Sequence, residues 1–358
     1  MDPLITGLYA IPILGIVFQL FGYLIAIVPP ISPIIMRSAT PLALGAMCGT
    51  MCERSGVVNI GIEGTMLASA FTGWVVGVAV QPAIGGEPSA FFGLTPALIV
   101  AFGAAMLMAL AISLLHAWLS ISLRADQIIS GTIINIAAFG LTGYLYTIVS
   151  KTSPSGAGSF EAFTPPTELT NLPVIGWVFA MVLEQGPLTM SVLVIVIVFQ
   201  ILLFRSRWGL RTRAVGEHPK AAETVGIDVI RLRYRNVLLG GLLAGLAGAY
   251  LSMEATNSFQ AGMTAGRGFI ALAAMIVGRW TPVGAFGAAL LFSSFQALGQ
   301  AINFAPPTGQ LGDILTFPPA QIYDALPYLV TIVILAGVVG RSIPPAADGQ
   351  PYEREAAT

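Results

Sequence analysis

Polar side chains within long apolar stretches are the residues of this sequence that could do chemistry. Asn59 and Glu63 lie in a glycine-rich break of an apolar run, and Thr132 and Asn135 lie in the middle of another. Ionisable and amide groups are costly in apolar surroundings, so by default they indicate a function. These side chains could bind an uncharged polar ligand. They could equally bind the backbone groups that a broken helix leaves free, and for Glu63 both interpretations stay open.

A second polar group follows helical spacing. Ser293, Gln296 and Gln300 are three and four residues apart, which places them on one face of a helix. Such a stripe is typical of the wall of a wetted pathway, and equally of hydrogen bonds between neighbouring helices. The residues predicted to line a substrate pathway are Asn59, Glu63, Thr132, Asn135, Ser293, Gln296 and Gln300.

Residues for catalysis or metal binding are sparse. Cys48 and Cys52, the two cysteines, are four apart in an apolar run, as expected for buried thiols, and a metal site would need more ligands nearby. His116 and His218 lack the spacing of metal ligands. The sequence contains no P-loop, G-x-S-x-G elbow or H-E-x-x-H motif. We therefore expect neither a catalytic centre nor a cofactor in this chain.

Composition places these polar residues in a membrane. Of 358 residues, 56% are hydrophobic and 9% are charged, whereas a soluble chain carries about 25% charged residues. The net charge of −1 excludes a basic nucleic-acid binder. The sequence predicts an all-α polytopic membrane protein with about ten transmembrane helices, each of about 20 apolar residues. The predicted spans are residues 4–28, 38–52, 61–80, 92–122, 127–149, 188–205, 236–255, 268–278, 283–301 and 325–341.

The basic residues predict the orientation. Residues 205–235 contain eight of the 16 Lys and Arg residues, so the positive-inside rule places the loop 206–235 in the cytoplasm. The loop 150–187 then lies outside, and both chain ends lie inside. Residues 1–341 are predicted to form the transmembrane domain. Residues 342–358, with prolines and mixed charge, are expected to be a disordered cytoplasmic tail.

Two glycine-rich breaks favour an internal repeat. The segments Gly61-Ile-Glu-Gly-Thr and Gly266-Arg-Gly-Phe-Ile each open a helix of small apolar residues. In the predicted topology the first helix starts from a break at the inner side and the second from a break at the outer side. Opposite directions are typical of inverted repeats, whose glycine-interrupted segments point to a transport pathway. Chance similarity is the alternative. The short spans 38–52 and 268–278 also favour broken helices.

The cytoplasmic loop contains a predicted short helix. Pro219 suits the first turn of a helix, and Gly226 suits the position just past its end. Between them, Ala221, Ala222 and Val225 would form a small apolar face. A helix of about two turns is marginal alone, so we expect it to dock on another surface. A solvated loop with one helical turn is the alternative.

Four segments carry a family resemblance. R-A-V-G-E-H-P-K-A-A-E-T-V-G-I, at residues 213–227, resembles the coupling-helix segment of ABC importer permeases of the branched-chain amino acid, ribose and nucleoside group. E-R-S-G-V-V-N-I-G-I-E-G-T-M-L (53–67), G-T-I-I-N-I-A-A-F-G-L-T (131–142) and residues 266–285 are similar to the nucleoside and simple-sugar branch of that group.

The resemblance implies a permease subunit of an ATP-driven importer in the bacterial inner membrane. Two permease subunits, identical or sister chains, would form the pathway. Two separate ATPase subunits would bind beneath them and hold the ATP and Mg, and an extracytoplasmic solute-binding lipoprotein would deliver a small molecule. Nucleosides are the expected cargo, with ribose or another simple sugar as the alternative.

The resemblance also gives the short helix a role. The residues implied to contact the ATPase are Glu217, His218, Pro219, Ala221, Ala222, Glu223 and Gly226. An ion-coupled secondary transporter would fit the inverted repeats and broken helices equally well, but it would need no such docking helix. An intramembrane enzyme would need facing carboxylates or a nucleophile with its base, which the sequence does not offer.

Overall fold

Helices carry the apolar stretches of the sequence. The computed structural model describes residues 12–151, 158–172, 175–333 and 342–353, and no β-strand occurs within these ranges. The helices in chain order are α1 (Pro12–Glu53), α2 (Ile62–Ile84), α3 (Pro96–Ala117, continued by a π-helical turn Trp118–Ser122), α4 (Gln127–Val149), α5 (Thr167–Thr170), α6 (Gly176–Leu183), α7 (Pro187–Arg205), α8 (Arg207–Glu217), α9 (Pro219–Thr224), α10 (Val229–Ala249, continued by a π-helical turn Tyr250–Ala255), α11 (Arg267–Val277), α12 (Pro282–Phe304), α13 (Gln310–Thr316) and α14 (Ala320–Val333).

Seven helices among the described residues are long and apolar enough to cross a membrane, against about ten predicted. They are α1, α2, α3, α4, α7, α10 and α12. The prediction of an all-α polytopic membrane protein is confirmed. The last predicted span, 325–341, is described only as far as Val333, and its remaining residues lie outside the described ranges.

The first two predicted spans, 4–28 and 38–52, are wrong as separate helices. Residues 12–53 form the single helix α1, which begins at Pro12 and has four further prolines in its interior. Its 42 residues measure about 63 Å, roughly twice the thickness of the hydrocarbon core. Proline is tolerated in membrane helices because neighbouring groups satisfy the freed carbonyls. The connection expected between these two spans is therefore absent, and the count of crossings that placed the N-terminal end inside no longer holds.

The helix α11 is half-length, as its predicted span 268–278 indicated. Its 11 residues measure about 16 Å, about half of the hydrocarbon thickness. Three residues beyond its end, the Trp280 indole N–H donates to Glu53 Oε2 at 2.5 Å. The C-terminal end of α11 therefore lies beside the C-terminal end of α1.

Local chemistry explains where several helices begin. The Thr95 hydroxyl accepts from the Leu98 N–H at 3.1 Å, and Pro96 occupies the first position of α3. The Asp126 carboxylate accepts from two backbone N–H groups in the first turn of α4. Thr281 and the following proline repeat the first pattern at α12. An oxygen-bearing cap followed by proline satisfies the free N–H groups at a helix start.

The core surrounds the C-terminal half of α1. The apolar side chains between Met36 and Cys52 are almost fully buried there, with α10, α11 and α12 against them. Small residues allow this close approach: a Cβ added to Gly240 would lie 2.9 Å from the carbonyl oxygen of Cys48. Glycine contacts of this kind are typical of helix interfaces in membranes. The helices α2, α3 and α4 extend this core, since α3 packs on α2 and α10, and α4 packs on α2.

The C-terminal segment 342–353 is packed against the protein, so the prediction of a disordered tail is wrong for these residues. Ala347 and Tyr352 are buried, and the Ala347 N–H donates to the carbonyl of Gly216 at 2.9 Å. At its start, the Ser342 hydroxyl donates to the Ile276 carbonyl at the end of α11. Prolines and charges suggested disorder, but the two apolar side chains fit a recess that only the folded helices create. Residues 354–358 lie outside the described ranges.

Candidate functional site

Amide side chains hold the break that precedes α2. Asn59 Oδ1 accepts from the Gly61 N–H at 3.0 Å. Asn135, on α4, accepts from the Gly64 N–H at 2.7 Å and donates to the Ile60 carbonyl at 3.0 Å. Backbone groups freed by a helix break must find partners at membrane depth. Both amides therefore bind backbone, and the structure brings together two of the predicted pathway residues.

Glu63 connects this break to α11. Its Oε1 accepts from the Gly266 N–H at 2.8 Å and its Oε2 accepts from the Gly268 N–H at 2.5 Å. The N-terminus of a helix carries free N–H groups and partial positive charge, which stabilise a carboxylate. The contacts support the interpretation of Glu63 as a structural cap. A contact between Glu63 and a substrate stays a prediction.

The two glycine-rich breaks meet each other, which corrects their predicted placement on opposite sides of the membrane. Glu63 belongs to the first break and its partners Gly266 and Gly268 to the second. From this contact α11 runs about 16 Å to the C-terminal end of α1. Both breaks therefore lie at one intermediate depth. The error arose because a full crossing was assumed between each break and the adjacent loop.

The predicted stripe on α12 is separate from these residues. Ser293 is fully buried, Gln296 is half-buried and Gln300 is exposed. The helix α12 packs on α1, α11 and α14, whereas α4 packs on α2 and α3. Thr132, one turn before Asn135 on α4, is exposed, and its hydroxyl donates to the Ile128 carbonyl at 2.8 Å. The structure thus places the predicted pathway residues in two groups on different parts of the bundle.

The short helix α9 forms where the sequence predicted it. Pro219 is its first residue and exposed His218 its N-cap. The Gly226 N–H donates to the Glu223 carbonyl at 2.9 Å, and the Ile227 N–H donates to the Ala222 carbonyl at 3.1 Å. These two bonds are the Schellman pattern, which needs a left-handed residue just past the helix. Gly226 has φ of +83°, as this position requires.

The predicted apolar face of α9 is split by the structure, so its assignment as one docking face is wrong. Ala222 is 4% exposed and packs with Val215, Val229 and Leu232. In contrast, Ala221 is exposed and Val225 is 75% exposed. Ala221 and Ala222 are about 100° apart around the helix, and Val225 lies just past Thr224, the last helical residue.

Two acidic residues of this region bind the C-terminal segment. Glu217 Oε2 accepts from the Ala346 N–H at 3.1 Å. Glu223 accepts a hydrogen bond from the Tyr352 hydroxyl. Between α9 and the segment lies a groove of about 520 Å³. Its lining includes Pro219, Ala221, Ala346 and Pro351.

Comparison with known proteins decides the family. Residues 33–335 match the family described as branched-chain amino acid transport system / permease component. The chain belongs to this family of permeases. It is 37% identical over 314 residues to a nucleoside ABC transporter permease of Lactococcus lactis, covering 88% of this chain and 93% of that protein. It is 35% identical over 334 residues to a guanosine ABC transporter permease of Bacillus subtilis, covering 92% and 98%.

Another relative is named for a sugar rather than for a nucleoside. The permease is 26% identical over 281 residues to a glucose ABC transporter permease of Haloferax volcanii, covering 76% of this chain and 70% of that protein. No solved structure matches the chain. Family membership and the seven apolar helices make it a multi-pass protein of the cytoplasmic (inner) membrane. It is a transport component rather than an enzyme.

Arg233 is a central residue of the permease that the sequence reasoning missed. It is 1% exposed. Its Nε donates to the Ser55 carbonyl and its Nη1 to the Gln350 carbonyl, both at 3.0 Å. The guanidinium also lies over the Tyr352 ring, 5.9 Å from the centroid. The sequence contained a sign of this burial. Arg233 shares one helix face with Asn236, Gly240 and Ala244, which are all buried.

Asp348 adds a second charged group to the network around Arg233. Burial raises the pKa of its carboxyl from 3.8 to about 6, although a hydrogen bond with Glu53 and the charge of Arg233 oppose that rise. Because Glu53 also binds Trp280, these contacts link the C-terminal segment to the ends of α1 and α11. Nothing in the composition of residues 342–358 indicated this role.

At the C-terminal end of α10, Glu254 repeats the capping chemistry of Glu63. Its carboxylate accepts from the Leu188 N–H at 2.7 Å, the Thr189 N–H at 3.1 Å and the Thr189 hydroxyl at 2.5 Å. These donors form the first turn of α7. The permease thus uses carboxylates from neighbouring helices to stabilise two helix N-termini.

Proposed function

We propose that this chain is the permease subunit of an ATP-driven importer that carries nucleosides. The observation that supports this cargo is the identity of 37% and 35%, over nearly the whole chain, to permeases named for nucleosides and guanosine. A nucleoside offers hydroxyls and ring nitrogens without a net charge. Neutral amide and hydroxyl side chains suit such a cargo, since they need no counter-ion in a membrane.

The pathway forms between this chain and a second permease, identical or a sister chain. Among the described residues, α4 has neighbours on one side only, and Thr132 lies on its exposed surface with Ile129, Ile133 and Ile136. The break before α2, which Asn59, Glu63 and Asn135 hold in place, lies against the buried side of α4. A second chain facing α4 would enclose a pathway next to this break, where the protein backbone already departs from regular helix.

The helix α9 passes the motion of an ATPase subunit to the membrane helices. A chain of contacts joins the buried side of α9 to the break: Glu223 binds Tyr352, and Tyr352 lies under Arg233. Arg233 in turn binds the carbonyl of Ser55, four residues before Asn59 in the break. Movement of α9 would therefore be felt at the break. ATP and Mg would be bound by the ATPase subunits, and a solute-binding lipoprotein would deliver the cargo on the outer side.

Two measurements test this function. The tagged permease is purified in mild detergent from its native membranes, and its partners are identified by mass spectrometry after mild crosslinking. We expect an ATPase subunit and a solute-binding protein in fixed ratio. A chain that purifies alone or as a homodimer would overturn the ATP-driven mechanism and favour an ion-coupled carrier.

The cargo is tested with the complex in proteoliposomes. We expect ATP-dependent uptake of radiolabelled guanosine, inhibited by other nucleosides and unaffected by glucose. Uptake of glucose without competition by nucleosides would overturn the nucleoside cargo and favour a sugar, as the Haloferax volcanii relative indicates.

A further inference from the structure

The C-terminal segment 342–353 lies beside α9, from Ala346 onward, at the cytoplasmic end of the permease. Its backbone is bonded to the end of α8 through Ala347 and Gly216, at 2.9 Å. The side chain of Glu353 forms an ion pair with Arg124, three residues before the start of α4, at 2.7 Å. We propose that this segment and α9 together form the docking surface for the ATPase subunit, an inference that rests on the proposed function.

The shape and chemistry of the groove support this proposal. The groove of about 520 Å³ has α9 as one wall and the segment as the other. Pro219, Ala221, Ala346 and Pro351 contribute apolar surface to its lining. The exposed side chains of Glu217, Lys220 and Glu353 add charges of both signs at its edge. An apolar side chain on the surface of the ATPase fits such a groove, because burial excludes water while the charged edge fixes orientation.

Continuity with α9 identifies the occupant. Ala221 lines the groove and also lies on the exposed side of α9, which under the proposed function contacts the ATPase. A protein surface that covers Ala221 and Val225 therefore also meets the neighbouring segment. A docked ATPase needs roughly 800 Å² of contact on each partner, which a six-residue helix alone does not provide.

The segment is held firmly enough to transmit force. Arg233 binds the Gln350 carbonyl and also the Ser55 carbonyl at the end of α1, both at 3.0 Å. Tyr352 binds Glu223 on α9 and lies under the Arg233 guanidinium. Contact of the ATPase with this wall would reach α1 and α10 directly. The docking surface thus has two walls that move as one unit.

Site-specific photo-crosslinking in the assembled importer tests the composite surface. A benzophenone amino acid is placed at Pro351 on the segment, at Val225 on α9, or at Phe304, which is 89% exposed at the far end of α12. We expect adducts with the ATPase from the first two positions and none from Phe304. Adducts from Val225 without adducts from Pro351 would overturn the proposal and leave α9 alone as the dock. Adducts from neither would also overturn the proposed docking function itself.

A pair of charge substitutions in the segment gives a second test. Pro351→Asp places a charge in the groove, whereas Ile343→Asp places the same charge at a position that is 77% exposed and outside the groove. At equal permease yield, we expect Pro351→Asp to lower recovery of the ATPase about tenfold, a typical loss at a central interface position. Ile343→Asp should leave recovery unchanged. Equal recovery with both variants would overturn the proposal.

Discussion

Glu63 and Gly268 are 205 residues apart in the sequence and are joined by a hydrogen bond of 2.5 Å. When the segments that begin at Gly61 and Gly266 are aligned, these two residues occupy equivalent positions. Equivalent residues of an inverted repeat contact each other only near the axis that relates the two halves. The contact therefore favours a repeat whose axis passes through the two breaks, and it places Glu63 near that axis.

The first prediction concerns the carboxylate of Glu63. Glu63→Gln retains one acceptor oxygen where α11 presents two N–H donors, so α11 should lose a charge-assisted cap. We expect a loss of about 1–2 kcal/mol in stability, seen as a lower melting temperature of the detergent-solubilised permease, with transport falling in proportion. Glu168→Gln, at an exposed outer position, is the control. Transport lost at an unchanged melting temperature would instead assign Glu63 a direct contact with cargo.

The second prediction tests the closeness of the two breaks. A Cβ at Gly268 would lie 2.6 Å from Glu63 Cα, which is too short for any real contact. Gly268→Ala should therefore separate α2 from α11 and cost about 1–3 kcal/mol. Gly287→Ala is the matched control, because a Cβ there meets nothing within 4 Å and alanine favours a helix. If both variants melt at the same temperature, the breaks are not in contact.

Local chemistry could be read from the sequence. Pro219 and Gly226 set the ends of α9, and the Gly-rich segments before α2 and α11 marked interrupted helices, because caps and turns depend on neighbours within a few residues. The family was also recognisable, since its motifs are contiguous. These features were confirmed without knowledge of any long-range contact.

Other features depended on long-range contacts that no local pattern records. The continuity of α1 through four prolines depends on helices that pack along it. The burial of Tyr352 depends on a recess between α9 and α10. Which side of α9 faces inward was also undecidable, because Ala221, Ala222 and Val225 are all small and apolar. The partner of Glu63 lies on the opposite half of the chain.

The third prediction separates the two sides of α9. Val225 is 75% exposed, so Val225→Asp should change stability by no more than about 0.5 kcal/mol. It should nevertheless uncouple ATP hydrolysis from uptake, because it places a charge on the exposed side of α9, which the ATPase covers. Ala222→Asp buries a charge among Val215, Val229 and Leu232, so it should destabilise the cytoplasmic end by several kcal/mol.

Melting curves and a hydrolysis-to-uptake ratio in proteoliposomes check this third prediction. Loss of coupling without loss of stability in Ala222→Asp would reverse the assignment of the two sides. Normal coupling in Val225→Asp would remove the outer side of α9 from the docking surface.

The fourth prediction concerns the pH dependence of the C-terminal segment. The pKa of Asp348 is about 6 when the segment is docked, against 3.8 for an ordinary aspartate. The docked state therefore binds a proton more tightly than the released state. Packing of the C-terminal segment against the rest of the permease should be strongest below about pH 4. It should weaken as pH rises from about 4 to 6 and change little above that range. Because the two pKa values differ by about two, the docking equilibrium can change by up to about a hundredfold.

Hydrogen-exchange protection factors for residues 343–353, measured at pH 5 and pH 7.5 and corrected for intrinsic rates, check this dependence. We expect higher protection at pH 5. Asp348→Asn imitates the neutral carboxyl, so it should keep the segment packed at pH 7.5 and remove the part of the pH dependence that comes from Asp348. Asp313→Asn, at an exposed position on α13, should behave like the unchanged protein. Protection that rises with pH would mean that ionised Asp348 is held by the Arg233 charge more strongly than burial opposes it.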